Sequence, residues 1–417
     1  MEQAEIIALT HQTAPALTAD GDALTRNFYA HLFAHNPELK HIFNMANQAS
    51  GTQAHALLQA ILLFVTKFDQ LDTLGPQARM IAAKHVSLDI QPAHYALVGA
   101  SLLATIRAKL GPAATPTVML AWELAYTRIA QVLTGLEAAA YQGHRRQPGG
   151  WLAFKPFRVE RVLEECAGVY SFYLRPADGQ PLPAYRPGQF ISVSVEIPGH
   201  PHRQIRQYSL SDAPGRPYYR LTIKRQEAGH ETPAGLVSNY LHDALAVGAT
   251  LLVHAPAGEF YLNETTTTPL VLLAGGVGIT PLMAMLEHQL LSGSPREIRL
   301  LQAVRDADTQ PFAQRLRLLA RRHPQLRLFS LYGAPTPVLA GEEVAQDEEL
   351  QLALAGTLGY GPLTNEHLRI LLADVPRTAD CYCCGPLGFM RHVNSLLRGK
   401  GFKNLHFEVF GPAQSLD

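Results

Sequence analysis

The sequence Leu270-Val-Leu-Leu-Ala-Gly-Gly-Val-Gly-Ile-Thr-Pro281 decides the fold of the C-terminal part of the chain. Its unbroken apolar run is typical of a parallel strand that is covered on both faces. The glycines let backbone N–H groups approach a diphosphate at the start of a helix, which is predicted from Pro281 to Leu291. Such a turn can be purely structural, but its place between strand and helix favours nucleotide binding by Gly276, Val277, Gly278, Ile279, Thr280 and Pro281.

Two further apolar runs, Ile298–Val304 and Asp380–Cys384, have helical segments between them. Together with the first run they predict a doubly wound α/β domain over residues 265–417. Cys381, Cys383 and Cys384 fall in the third run and are interpreted as buried strand cysteines in a reducing compartment. After the second run, Arg305 favours a 2′-phosphate and Asp306 a 2′-hydroxyl, so NADH and NADPH both stay open.

The preceding segment, residues 151–264, has the alternating pattern of short strands. Apolar residues recur at every second position over Ile191–Ile197 and Tyr219–Ile223, which predicts a small antiparallel β-barrel. Within it, Arg206-Gln-Tyr-Ser209 offers a guanidinium for phosphate, an aromatic ring for stacking and a hydroxyl for a polar ring edge. By itself this tetrapeptide could belong to any barrel rim.

Residues 1–143 have helical periodicity, with apolar stripes such as Trp122, Ala125, Ile129, Val132 and Leu136. Helix breakers at Pro37, Gly51, Gly75-Pro76, Pro92 and Gly111-Pro112 separate the stripes. The prediction is an all-α domain of six or seven helices. The polar, turn-rich residues 144–150 are predicted to be a linker.

The charge balance, 35 Lys and Arg against 35 Asp and Glu, gives no overall field that would attract nucleic acid. No apolar run approaches the length of about 18–20 residues that a membrane span needs, and no signal peptide is recognisable. We therefore expect a cytoplasmic protein without stable membrane insertion and without a nucleic-acid partner.

Several motifs taken together resemble a known family. Residues 151–417 resemble the ferredoxin-reductase-type FAD/NAD(P)H module in Arg186-Pro-Gly-Gln-Phe190, Arg206–Ser209, Lys224-Arg225, Gly275–Pro281, Cys384–Met390 and Phe407–Pro412. The helical part is similar to the globin half of flavohaemoglobins in Asn27-Phe-Tyr29, Asn36–Lys40, Ile42–Met45, Gln53, Leu57, Lys84-His85 and Tyr95. The whole chain therefore resembles the flavohaemoglobin (flavohemoprotein) family.

The resemblance implies haem b in the helical domain. His85 would be the proximal iron ligand, with Tyr95 and Glu137 keeping it electron-rich and Lys84 tuning the haem. On the other face, Tyr29 and Gln53 would hydrogen-bond bound O2. Leu57 and Phe43 would shape the apolar pocket, which could also admit lipid or azole-like molecules.

The resemblance also implies FAD and NAD(P)H in the rest of the chain. The flavin would be held by Phe190, which replaces the tyrosine common in the family, and by Arg206, Gln207, Tyr208, Ser209, Val409, Phe410, Gly411 and Pro412. Glu408 would lie between the two prosthetic groups and influence their potentials.

The implied activity is that of a nitric oxide dioxygenase, which uses O2 and NAD(P)H to convert nitric oxide to nitrate. Electrons would pass from NAD(P)H to FAD and then to haem. Two alternatives stay open at this point. One is a sensor or store of O2 or nitric oxide whose reductase keeps the haem ferrous, and the other is a general flavin reductase.

Overall fold

The computed structural model describes residues 1–43, 74–229, 233–333 and 357–411. Three predicted site residues, Gln53, Leu57 and Pro412, lie outside these ranges. Among the helices in the described ranges, none combines the length and the apolar composition that a membrane span requires.

The N-terminal part is helical, as predicted. Its described α-helices are α1 (Gln3–Thr18), α2 (Gly21–His35), α3 (Gly75–Ser87), α4 (Pro92–Leu110) and α5 (Pro116–Arg146), with a short 3-10 segment at Pro37–His41. The predicted breakers are confirmed at Gly75-Pro76, Pro92 and Gly111, because α3 and α4 begin or end there. Helix α5 continues to Arg146, three residues beyond the predicted helical segment, so the non-helical connection begins only at Gln147.

The apolar stripe predicted on α5 forms the centre of the helical core. Trp122, Ala125 and Ile129 are buried among side chains of α1, α2 and α4. The indole Nε1 of Trp122 donates a hydrogen bond of 3.0 Å to Thr13 Oγ1, so this large side chain is buried without an unpaired polar group. The burial of α5 along its length places Glu137, near its end, inside the domain.

The first sheet has six strands, β1 (Phe154–Cys166), β2 (Val169–Pro176), β3 (Phe190–Val195), β4 (Gln204–Ser209), β5 (Tyr219–Lys224) and β6 (Thr250–His254). Their order is β4-β3-β6-β1-β2-β5, and β1 with β2, β2 with β5, and β3 with β6 are antiparallel. An antiparallel bridge joins Leu210, which directly follows β4, to Leu221 of β5. This bridge connects the two edge strands, so the sheet closes into the predicted barrel.

The second sheet is parallel and has the order β10-β9-β8-β7-β11-β12. Its strands are β7 (Leu270–Gly275), β8 (Ile298–Val304), β9 (Leu326–Tyr332), β10 (Thr357–Tyr360), β11 (Asp380–Cys384) and β12 (Leu405–Glu408). The described α-helices after β5 are α6 (Leu236–Ala244), which precedes β6, and α7 (Ile279–Leu291), α8 (Ala313–Arg322), α9 (Asn365–Leu371) and α10 (Leu387–Gly399). All three predicted strands are confirmed, and the predicted helix after the glycines begins two residues earlier, at Ile279.

The chain divides into two compact units. The first contains residues 1–155, 192–207 and 252–259, and the second contains residues 156–191, 208–251 and 260–417. The helical domain therefore shares its unit with parts of the barrel strands β3, β4 and β6, while the rest of the barrel shares its unit with the parallel sheet.

In the second unit, a buried charge network centred on Arg220 of β5 reaches helix α7. Arg220 Nη1 lies 3.6 Å from Asp212 Oδ2, and Nη2 lies 3.6 Å from Glu287 Oε2 on α7. Arg315 Nε of α8 donates to Glu287 Oε1 at 2.8 Å. Burial, and then a hydrogen bond to Asp212, raises the pKa of Glu287 to about 7. Burial alone would raise the pKa of Asp212, but Glu287 and Arg220 lower it overall.

In the first unit, the end of α5 and the connection after it are hydrogen-bonded to β6 and the residues that follow β6. His144 Nε2 lies 3.1 Å from the carbonyl oxygen of Pro256, and Trp151 Nε1 donates to the carbonyl oxygen of Val253 at 3.1 Å. The His254 ring is completely buried next to His144, with 6.2 Å between the ring centroids. A protonated imidazole would therefore be costly here.

We predict that acid destabilises the first unit through His254. Burial lowers the pKa of His254 to about 4 from an ordinary value of 6.5, so between these values only the unfolded chain binds the proton. The contribution of His254 to stability is complete above pH 6.5 and is lost, by up to about 1.4 kcal/mol per pH unit, as the pH falls towards 4. Urea unfolding at pH 7 and pH 5 measures this dependence.

The variant His254→Leu should lose part of this pH dependence, because it removes the buried titrating ring. The exposed His35 of α2 supplies the matched control, and His35→Gln should retain the pH dependence of the wild type. Parallel pH dependences in wild type and His254→Leu would contradict the prediction.

Candidate functional site

His85 lies at the C-terminal end of α3, where the sequence placed it, and its Nδ1 is fixed by two residues. Nδ1 lies 2.8 Å from Glu137 Oε1 on α5 and 3.0 Å from Tyr95 Oη on α4. Tyr95 in turn donates a 2.5 Å hydrogen bond to the same Glu137 oxygen. Three residues predicted to act together, on three different helices, are thus brought into one hydrogen-bonded group.

The direction of the hydrogen bonds in this group follows from the Tyr95 hydroxyl. Glu137 is nearly inaccessible, and its Oε2 is buried without a hydrogen-bond partner among the described residues. Burial, followed by the hydrogen bond to Glu137, raises the pKa of the Tyr95 hydroxyl well above its ordinary value, so Tyr95 is a donor. Glu137 therefore has to accept from both neighbours, and His85 Nδ1 carries the proton that it donates.

This arrangement fits a metal-ligating imidazole. Both contacts of the ring use Nδ1, so Nε2 is the nitrogen that can bind a metal ion. A ligating histidine usually donates its other N–H to a carboxylate or carbonyl, which fixes the ring and increases its basicity. The donor set therefore fits the haem iron expected at His85.

Tyr29 and Phe43, which the sequence assigned to the opposite face of the haem, are in contact with each other. Tyr29 of α2 is buried, and its ring centroid lies 5.7 Å from that of Phe43 in an edge-on arrangement. Phe33 stacks on Tyr29 at 5.7 Å and contacts Phe43 at 5.5 Å. Aromatic packing therefore fixes the Tyr29 ring, while the structure does not describe the other two residues predicted for this face, Gln53 and Leu57.

The tetrapeptide predicted for the flavin forms most of β4. Arg206 Nη1 donates to the carbonyl oxygen of Ile205 at 2.8 Å, and Gln207 Nε2 donates to Ser87 Oγ at 2.8 Å. Ser209 is buried at the strand end, and Tyr208 is half-buried. Phe190, the aromatic residue that replaces a tyrosine, is buried at the start of β3.

The C-terminal residues assigned to the flavin follow the last strand. Glu408 ends β12 and pairs with Cys384 of β11. Val409 is half-buried and Phe410 is 49% exposed, while Gly411 adopts a φ of +127°, which favours glycine. An exposed aromatic ring at this place offers a surface for a planar ligand.

The glycine-rich turn and the Cys384–Met390 segment, predicted separately from the sequence, are packed against each other. A Cβ on Gly275 would lie 2.9 Å from both Phe389 and Pro386, and a Cβ on Gly278 would collide with the carbonyl oxygen of Cys384. Gly276 has a φ of +55°. The turn therefore requires glycine for backbone conformation and for close approach, and it leads directly into α7, as a diphosphate site requires.

Arg305 and Asp306, at the end of β8, are paired with each other. Arg305 Nε lies 2.8 Å from Asp306 Oδ2, while Asp306 Oδ1 accepts a hydrogen bond from Thr309 N at 2.9 Å. The carboxylate is thus partly engaged by its own loop, and the Arg305 side chain is 79% exposed. Because the two side chains are paired with each other, neither of them indicates a preference for NADH or NADPH.

Two groups of buried polar residues were not predicted from the sequence. Ser87 contacts Gln207 from the end of α3, and the Arg220 network joins β5 to α7. Serine near a helix end has many roles, and Glu287 lies within a mostly apolar helix. For the Arg220 network, the signal in the sequence was the acidic Glu287 among apolar residues of α7.

Two family models match the chain. The globin model matches residues 26–133, and the oxidoreductase NAD-binding domain model matches residues 272–395. A flavohemoprotein from Chromobacterium violaceum is 42% identical over 97% of this chain and 97% of its own length.

Two solved structures are also similar to this chain. A flavohemoglobin from Malassezia yamatoensis, with bound FAD and heme, has a TM-score of 0.80 at 24% identity and covers 98% of this chain and 99% of its own. The FAD/NAD-binding domain of a nitric oxide dioxygenase from Vibrio cholerae has a TM-score of 0.53 at 34% identity, covering 62% of this chain and 99% of its own. The predicted fold class, a globin domain followed by an antiparallel barrel and a doubly wound nucleotide-binding domain, is confirmed.

We predict that Gly278→Ala weakens binding of a nicotinamide dinucleotide by about tenfold or more. The added methyl group has to push the turn away from Cys384, and overpacking of this kind costs about 1–3 kcal/mol. Calorimetric titration with NAD⁺ measures the affinity. As a control, Gly399→Ala in α10 adds a Cβ that meets nothing within 4 Å. Equal NAD⁺ affinities in the two variants would show that the close packing is unimportant for binding.

Proposed function

Because this chain belongs to the flavohemoprotein family, we propose that it is an NAD(P)H-dependent nitric oxide dioxygenase that converts nitric oxide and O2 to nitrate. The observation that carries the proposal is the hydrogen-bonded group of His85, Tyr95 and Glu137 in a chain that also matches the oxidoreductase NAD-binding domain. An electron-rich iron ligand suits the activation of O2.

The proposed cofactors are haem b, FAD and NAD(P)H. When bound, FAD would supply the conversion of the electron pair of NAD(P)H into single electrons, and haem would supply the iron at which O2 and nitric oxide could react. The turn at Gly276–Pro281 would hold the diphosphate of the nucleotide, Arg206–Ser209 and the residues after Glu408 would hold the flavin, and His85 would hold the iron. Substrates of the enzyme are O2, nitric oxide and NAD(P)H.

The protein's own contribution on the proximal side is a fixed and polarised imidazole. Glu137 draws the Nδ1 proton of His85, which increases electron density on Nε2, and Tyr95 holds the carboxylate in place. Because Glu137 is buried, its charge is screened little by solvent and acts strongly on the ring.

On the opposite side, Tyr29 would donate a hydrogen bond to the iron-bound ligand, together with Gln53. The lipid or azole-like ligand that the sequence suggested for this side stays a prediction, because Gln53 and Leu57 lie outside the described residues. The cytoplasmic location also stays a prediction.

The proposal is tested by the products formed under air and nitric oxide. The wild type should form about two nitrate ions for each NADH consumed, because each NADH supplies two electrons. His85→Ala should abolish nitric oxide consumption, since it removes the iron ligand, and should leave NADH-dependent dye reduction by the flavin intact. Nitrate and NADH are measured in the same reaction.

Each alternative has its own outcome in this experiment. Absence of nitrate with the wild type would eliminate the dioxygenase and favour a sensor or store. Equal nitric oxide turnover in His85→Ala would contradict a haem mechanism and favour a general flavin reductase.

We further predict that Tyr29→Phe speeds the dissociation of O2 from the ferrous protein. Loss of a hydrogen bond to a partly charged ligand costs about 1–3 kcal/mol, which corresponds to roughly a fivefold to hundredfold higher off-rate. The ring keeps its contacts with Phe33 and Phe43, so the pocket shape is retained. Stopped-flow displacement of O2 by carbon monoxide gives the rate, and an unchanged off-rate would rule out the hydrogen bond.

A further inference from the structure

Ser87 connects the helix that carries His85 with the strand that carries the flavin motif. It is the last residue of α3, two positions after His85, and it is completely buried. Its hydroxyl donates to the carbonyl oxygen of Lys84 at 2.7 Å and accepts from Gln207 Nε2 of β4 at 2.8 Å. Ser87 and Gln207 are 120 residues apart in sequence but lie in the same compact unit.

The chemistry of the hydroxyl fixes the orientation of the Gln207 amide. A serine hydroxyl has a single hydrogen, and here it is directed at Lys84. Ser87 therefore presents only a lone pair to Gln207, so the amide has to turn its NH2 group towards Ser87 and its carbonyl oxygen away. The neighbours of Gln207, Arg206 and Tyr208, are among the residues proposed to hold the flavin.

A second contact holds α3 in the same unit, but it is weaker. Arg79 Nε of α3 lies 3.4 Å from Glu259 Oε2, and both side chains are partly exposed, at 52% and 34%. Ion pairs of this kind contribute little, because solvent screens them. The Ser87 hydroxyl is fully buried, although Gln207 is exposed, so this hydrogen bond holds the His85 end of α3 against β4 more firmly than the Arg79 pair does.

We propose that Ser87 is a positioning residue for electron transfer between the flavin and the haem, acting through the amide of Gln207. This inference rests on the proposed function. In each transfer the flavin loses one electron and ferric iron gains one, while the Ser87 hydroxyl keeps its proton and exchanges no electron. Its role is to hold Gln207 in one orientation and the end of α3 at one distance from β4.

The proposal is tested with the full chain carrying haem and FAD, by anaerobic stopped-flow mixing with NADH under carbon monoxide. Ser87→Ala should slow reduction of the haem after the flavin by about tenfold, the scale of one lost hydrogen bond. Reduction of the flavin by NADH should keep its wild-type rate. A redox titration followed by flavin absorbance should show a shifted midpoint potential, and Ser87→Thr, which keeps the hydroxyl, should restore both properties.

Two further variants separate positioning from stability. Thr105 of α4 is also buried, and its hydroxyl donates to the carbonyl oxygen of Ser101. Thr105→Val therefore loses a comparable buried hydroxyl, and its haem reduction rate and flavin potential should equal those of the wild type. Gln207→Met removes the other partner, so Ser87→Ala should add no further effect in that background.

The proposal is overturned if Ser87→Ala reduces its haem at the wild-type rate and has the wild-type flavin midpoint potential, whatever the change in thermal stability. If Ser87→Ala does not fold, the test uses Gln207→Met alone. A wild-type haem reduction rate and flavin potential in that variant would also overturn the proposal. The measurements use neither nitric oxide nor O2. A failure of the dioxygenase proposal would therefore appear as missing nitrate, and a failure of the Ser87 proposal as unchanged electron transfer.

Discussion

In the second unit, the ion pairs of Arg220 connect strand β5 of the barrel to helix α7, which begins at the glycine-rich turn. Helix α7 begins in that turn, and Glu287 lies two turns further along the same helix. Arg220 and Glu287 are both almost fully buried, so neither charge is compensated by water. Removing Arg220 would take away the buried cation that Asp212 and Glu287 share, which costs several kcal/mol. The network therefore fixes the helix whose start would receive the nucleotide diphosphate.

Much of the fold could be predicted because local pattern and burial coincide. The strands β8 and β11 have the predicted bounds. Both faces of a parallel strand are buried under neighbouring elements, so the apolar run has the same ends as the buried strand. Helix α5 extends beyond its predicted end. Its last turn is polar and was therefore interpreted as a linker, whereas the contact of His144 with Pro256, which the local pattern does not reveal, holds the end of the helix.

The contacts of the candidate site were harder to predict from local sequence patterns, because they join residues that are far apart in the sequence. His85 and Glu137 are 52 positions apart, and their hydrogen bond forms only when α3 and α5 are packed together. The sequence named this group through family resemblance, and the structure brings its members together. Ser87 lacked such a signal, because its partner Gln207 lies in a different fold element and a serine at a helix end is common.

The polar residues that were missed share a physical property with those that were found. Glu137, Ser87 and Glu287 are all buried and all join two elements that are distant in sequence. A buried polar group is costly unless it is hydrogen-bonded, so it tolerates only one arrangement of its partners, whereas apolar contacts tolerate several. Hydrophobic burial can assemble the three domain types. The buried polar contacts then restrict the local arrangement of the helices and strands at His85, at β4 and at α7.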